Sequence, residues 1–120
     1  MTDWQGFLSE RRLAVLATIA ADGGPHMTPV EVVVRGGKPY VWTESASQKG
    51  RNVSRDGRVA LMSYKNTAGV LVRGTTTLIR AGDPGYDDVA RAFLDKYDRE
   101  ETYGNDLIVE INPEHVATWE

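Results

Sequence analysis

The stretch Thr43-Glu44-Ser45-Ala46-Ser47-Gln48-Lys49-Gly50-Arg51-Asn52 gathers three hydroxyls, a lysine and an arginine. It follows an extended-type run and precedes residues that suit a helix, so a strand ends and a helix begins here. A helix N-terminus leaves backbone N–H groups without intrahelical acceptors and carries partial positive charge. With Ser47 as N-cap and Lys49 and Arg51 beside it, such a terminus can hold a phosphate without a glycine-rich loop. The same residues also suit an ordinary capped surface helix, because serine caps and exposed basic residues are common.

Other chemistry is harder to build from this chain. It has no cysteine and two histidines, His26 and His115, neither with a second ligand at metal spacing. Thiolate chemistry and disulfides are therefore excluded, a reducing compartment is fitting, and no metal site is expected. The dinucleotide glycine fingerprint, the phosphate loop, the Gly-x-Ser-x-Gly elbow and His-Glu-x-x-His are missing. Any reaction must rest on acid/base groups or on a bound cofactor, and no catalytic side chain is assigned.

The elements that would position these residues follow from periodicity. Trp4, Phe7, Leu8 and Arg11 predict a short amphipathic helix from Asp3 to about Arg12, capped by Thr2 or Asp3. Leu13–Ala20 reads as a buried strand closed by Ala21-Asp22-Gly23-Gly24. Pro25–Val34 continues as one β-branched strand, Arg35-Gly36-Gly37-Lys38 turns it, and Pro39–Thr43 returns. A short helix runs from Ser47, with Val53 inward and Gly57 as its stop. Arg58–Tyr64 and Val70–Ala81 are strands around the loop 65–69, with Gly74 marking a bulge or close backbone contact. Tyr86, Val89, Ala90, Phe93 and Tyr97 mark one face of a helix, which makes Tyr97 a core residue. Tyr64 and Tyr103 fall in no pattern that places them. Leu107–Ile111 is a strand, Asn112-Pro113-Glu114 a turn, and His115–Trp119 a last strand.

These elements predict a mainly β fold: a six- to seven-stranded antiparallel β-barrel with two to three flanking helices. The chain of 120 residues, 41% hydrophobic, is the size of one domain, taken as residues 1–120. No apolar run approaches a membrane span, and Met1-Thr2-Asp3-Trp4 has no charged-then-apolar leader, so a soluble cytoplasmic protein without membrane contact is expected. The net charge of −3 is unevenly spread: residues 1–82 hold 11 basic and 6 acidic side chains, residues 83–120 hold 3 and 11. Lys49, Arg51, Arg55 and Arg58 concentrate anion-attracting potential locally, although a solvated basic face reads the same way. The segment has no interleaved aromatics, so no nucleic-acid partner is expected.

Thr43, Ser47 and Lys49 match the spacing of the phosphate-binding stretch in the flavin-binding split-barrel superfamily, whose namesake is pyridoxamine-phosphate oxidase. Further matches follow in order: Leu16-Ala17-Thr18 with Asp22-Gly23; Pro25-His26-Met27-Thr28-Pro29-Val30; Arg51-Asn52-Val53 with Arg58-Val59; Val72-Arg73-Gly74; and Ile111-Asn112-Pro113 with Val116 and Trp119. The chain resembles this superfamily over nearly its whole length, and Ser47-Gln48-Lys49 most resembles its small flavin/deazaflavin oxidoreductases, some of which use coenzyme F420 and others FMN.

The resemblance implies a homodimer with two cofactor sites at its interface. It implies that Thr43, Ser47, Lys49 and Arg51 hold the cofactor phosphate, that Thr28, Pro29 and Val30 line the ring edge largely through backbone groups, and that Trp42 sits beside it. Gln48 stands where the oxidase has a second basic residue, which lowers the expected affinity for the FMN phosphate. The oxidase's arginine-rich second strand and C-terminal arginine/histidine motif are absent, so pyridoxamine-phosphate oxidation is not expected. Arg73 is a cross-strand partner or reaches a cofactor across the dimer, and Trp119 seals the barrel or walls the interface. The implied activity is hydride transfer to a small organic substrate through F420, placed ahead of FMN because the basic stretch 49–58 could receive its anionic tail. The alternative is a non-catalytic carrier of flavin, F420 or haem.

Overall fold

The computed structural model describes residue 1, residues 3–100 and residues 106–120. Its elements run α1 (Trp4–Ser9), β1 (Ala14–Ile19), β2 (Pro25–Val30), β3 (Val32–Arg35), β4 (Lys38–Glu44), α2 (Gln48–Arg55), β5 (Arg58–Lys65), β6 (Ala68–Ile79), α3 (Tyr86–Tyr97) and β7 (Asp106–Trp119). The strands pair antiparallel in the order β2-β1-β5-β6-β7-β4-β3. The two edge strands are thus consecutive in the chain, joined through Glu31 alone. The sheet curls into a half-barrel whose ends are tied by a covalent corner.

Several boundaries differ from the sequence reading. Pro25–Val34 is two strands, not one, because the chain turns the barrel corner at Glu31. α3 holds that corner: the Val32 amide donates to the Tyr97 hydroxyl at 2.8 Å, and Lys96 donates to the Val32 carbonyl at 2.7 Å. Tyr97 is buried as expected, with its hydroxyl engaged. The turn expected at Asn112-Pro113-Glu114 is a bulge within the continuous strand β7, where the register slips opposite Arg73 and Gly74. A Cβ at Gly74 would collide with the Asn112 carbonyl, which explains the glycine. The hairpin loop after β5 shrinks to Asn66-Thr67, with Asn66 left-handed at φ 54°. α1 stops at Ser9, three residues short of the expected end, and Asp3 caps it by accepting from the Gly6 amide. α2 stops at Arg55 before Gly57, while Ser47 caps it and Val53 is buried as read.

Strand alternation sends one set of side chains into the barrel. Leu16, Val32, Val41, Leu61, Val72, Val109 and Ile111 form this core, with Leu8, Trp4 and Phe7 of α1 and Val53 of α2 packed against it. The outer face is divided. Over β3, β4 and the adjoining parts of β6 and β7, α3 covers Tyr40, Trp42, Ile79 and Ile108 with Tyr86, Val89, Phe93 and Tyr97. Over the remaining strands no described helix lies. There the register aligns Pro29, Val15, Met62, Leu71 and Ala117 in one row, and Met27, Ala17, Ala60, Arg73 and His115 in the next. Tyr64, Gly69 and Trp119 form a third row, with the Trp119 ring lying over Gly69. Met27 and Tyr64 are 62% and 63% exposed on this bare half.

Candidate functional site

The junction of β4 and α2 is built by short-range hydrogen bonds. The Ser47 hydroxyl donates to the Glu44 carbonyl at 2.7 Å, accepts from the Gly50 amide at 3.1 Å, and lies 3.1 Å from the Thr43 hydroxyl. Gly50 lets the helix press on the strand end, because a Cβ there would collide with the Glu44 carbonyl. Sequence reasoning passed over Gly50; its place between two basic residues at the helix start was the available signal. Behind α2, buried Asn52 donates to Thr18 at 3.0 Å and accepts from Gln48 at 2.8 Å, tying the helix to β1.

Beside this junction a cleft of about 430 Å³ opens. Thr43, Glu44, Ser47 and Lys49 give its lining polar groups, and Leu13, Pro29, Val30 and Trp42 apolar ones. Glu31 and Arg99 complete the lining and form an ion pair with each other. Trp42 is buried, its ring 5.4 Å from Phe93 of α3, so the wall it offers is held from behind. It also lies against Asp106, whose other oxygen accepts from the Tyr86 hydroxyl at 2.7 Å. Burial holds the Asp106 carboxyl above the ordinary carboxylate range, against the bonds from Tyr86 and Trp42 that favour its charged form. Burial and the Asp106 carboxylate push the Tyr86 hydroxyl upward.

Of the residues singled out in the sequence, Pro29, Val30, Trp42, Thr43, Ser47 and Lys49 line this cleft. Thr28, Gln48 and Arg51 are not among its lining residues. Thr28 points to the barrel side of β2, opposite Leu16, with its hydroxyl buried. Gln48 is turned to Asn52, and Arg51 donates to the Ala46 carbonyl and to Gln48. Arg55 is bound to the Ile19 carbonyl and Arg58 to Asp56, so Lys49 is the member of the basic stretch that faces the cleft. Glu31 and Arg99, which sequence reasoning did not select, meet there from 68 residues apart. Tyr64 lies on the bare face, Arg73 is exposed opposite His115, and Tyr103 lies outside the described residues.

The lining around Lys49 can hold an anion. Gln48 and Lys49 open α2, where helix geometry leaves N–H groups without intrahelical acceptors, and the Lys49 ammonium adds a full charge. The Ser47 hydroxyl is already committed to its cap, so it shapes the loop. Pro29, Val30 and Trp42 offer apolar surface that suits a planar ring. The described lining includes no histidine, cysteine or methionine, the usual axial ligands of a haem iron. Among the described residues no group of three or more metal-ligating side chains occurs, and no helix is long and apolar enough to cross a membrane.

Comparison with known proteins agrees with this architecture. An F420 reductase superposes with a TM-score of 0.79 at 20% identity, over 98% of both chains. The conserved hypothetical protein Rv2991 of Mycobacterium tuberculosis gives 0.81 at 24% identity, over 97% of this chain and 81% of that one. HutZ, the haem storage protein of Vibrio cholerae, gives 0.76 at 15% identity, over 93% and 89%. At these identities the likeness is one of fold. No match was found among curated proteins. The family model described as pyridoxamine 5'-phosphate oxidase matches residues 2–120, and with the curled antiparallel half-barrel this places the chain in the pyridoxamine 5'-phosphate oxidase-like split-barrel family.

Proposed function

We propose that the protein is an oxidoreductase working through a flavin-type cofactor held in the cleft of a homodimer, with coenzyme F420 as first choice and FMN as second. The observation that carries this reading is one cleft that brings Lys49 and the start of α2 together with the apolar Pro29, Val30 and Trp42. A bound cofactor of this kind supplies hydride transfer to a small organic substrate, and the protein supplies binding, orientation and electrostatics. Lys49 neutralises the phosphate, the first N–H groups of α2 orient it, and Trp42, braced by Phe93, excludes water from one side of the ring.

The bare half of the sheet supports the homodimer. Leu13 and Pro29 border both the cleft and the outer face, so a second copy seated on that face would complete the open side of the cleft. Contiguous apolar surface of this kind marks association sites in soluble proteins.

A parallel titration of cofactor-free protein with F420 and FMN, with dimer mass read by light scattering, tests this reading. Lys49→Ala is expected to weaken binding of the preferred cofactor by about tenfold or more, the scale of a charge-assisted hydrogen bond. Binding of neither cofactor, or an unchanged titration in Lys49→Ala, overturns the assignment. Turnover decides between enzyme and carrier: oxidation of the reduced cofactor by quinones, enones or nitro compounds should run faster with protein than without. Tight binding without turnover establishes the carrier, the reading that the likeness to a haem storage protein also supports.

A further inference from the structure

Among the described residues the cleft is lined by two cations, Lys49 and Arg99, and two carboxylates, Glu31 and Glu44. Arg51, Arg55 and Arg58 are taken up by carbonyls, by Gln48 and by Asp56, so the second cation comes from outside the basic stretch. Its backbone is fixed. Asp98 closes α3 in the left-handed region at φ 54°, and the Arg99 amide donates to the Leu94 carbonyl at 3.0 Å. From there the guanidinium reaches the barrel corner, where Nη2 donates to one oxygen of Glu31, and both side chains are 25% exposed.

That pair is open to exchange. It joins one nitrogen to one oxygen, whereas a guanidinium and a carboxylate can meet through two parallel bonds. Ion pairs in contact with water contribute little to stability. Glu31 also lies in the field of the Lys96 ammonium, so it keeps a compensating charge when Arg99 turns to another acceptor. We propose that Arg99 is a second anion anchor of the cleft, and that a carboxylate of the bound ligand takes the place of Glu31 on its guanidinium. This rests on the reading of the cleft as a cofactor site and narrows it: the ligand carries a phosphate for Lys49 and a separate carboxylate for Arg99. F420 has such carboxylates on its glutamyl tail, and FMN has the phosphate alone. Glu31 then acts as a filter, because an anion must displace it to reach Arg99.

Titration of the cofactor-free full chain with F420 and FMN in parallel tests the exchange. Arg99→Gln is expected to weaken F420 by about tenfold or more and FMN by less than about threefold. Glu31→Gln removes the competitor; it should tighten F420 by about threefold or more and leave FMN within about twofold. In the double variant that gain should disappear, because it works through Arg99. An unchanged F420 titration in Arg99→Gln, equal responses of the two cofactors, or a gain that persists in the double variant would overturn the proposal, the last two by tracing the effect to diffuse charge. Should Arg99→Gln not fold, the responses of the two cofactors to Glu31→Gln still decide. Weaker binding in Lys49→Ala without weaker F420 binding in Arg99→Gln sinks this inference alone. Binding of neither cofactor by the unsubstituted protein sinks the cofactor reading together with it.

Discussion

Both halves of the sheet's outer face carry large apolar side chains, and one half has a helix over it while the other has none among the described residues. Over β4 and the start of β7, Trp42 is 4% exposed beneath α3, and Phe93 of α3, which packs on it, 1%. Over β1, β2 and β5, Met27 and Tyr64 stand more than half exposed with side chains of similar size. The contrast shows that apolar alternation along a strand specifies that a face will be buried, not what will bury it. In one half the chain supplies its own cover; in the other, on the present reading, a second copy does.

Substitutions can break this contrast or sharpen it. The largest effect on folding is expected at Phe93, where Phe93→Ala removes a ring packed on both Trp42 and Tyr97 and should cost about 3–5 kcal/mol in a denaturant titration. Next comes Tyr86→Phe. It deletes the bond to Asp106 and should cost about 1–3 kcal/mol, a loss that shrinks in acid as Asp106 protonates. An equal loss at all pH values would show that the carboxylate has no part in it.

Lys96 supplies a pH signature for the covered half. Burial, with Arg12 and Arg11 nearby and Glu31 opposing them, brings its ammonium down to about 8 from the ordinary 10.5. Because the folded state gives up this proton more readily than the unfolded chain, charged Lys96 opposes folding below pH 8. Stability relative to Lys96→Met should therefore rise as the pH climbs from about 8 towards 10.5, by about 1 kcal/mol after solvent screening. Parallel melting curves for the two proteins across that range read the difference, and a flat difference would rule it out. The smallest effect on folding belongs to the bare half: Met27→Glu should move monomer stability by no more than about 0.5 kcal/mol. The same change should drive the light-scattering mass from dimer to monomer. An unaltered dimer would remove this face as the interface.

Local patterns were legible where neighbours along the chain decide them. The five apolar positions of α3, the Ser47 cap and the need for glycine at position 74 all follow from residues within a turn or a bulge. The corner at Glu31 was not legible, because β-branched residues stand on both sides of it, Thr28 and Val30 before and Val32–Val34 after, and the bonds that pin Val32 come from Lys96 and Tyr97, more than 60 residues away. Arg99 entered the cleft by the same long-range route. Arg51 and Lys49 stand two apart on α2 and so leave the helix on different sides, with Arg51 turned to Ala46 and Gln48.

The covalent corner at Glu31 has a consequence for synthesis. β4 has β3 as its early partner, while its other neighbour, β7, is the last element of the sequence. Deleting Asp106–Trp119 would divide the sheet into a four-strand piece and a two-strand hairpin, and a hairpin alone is marginal in water. At translation rates of about 5–20 residues per second, that hairpin waits several seconds on the ribosome before its partner emerges. β7 is thus the strand that turns two fragments into one sheet, and assembly of the cleft, whose Trp42 and Thr43 lie on β4, must wait until β7 has emerged.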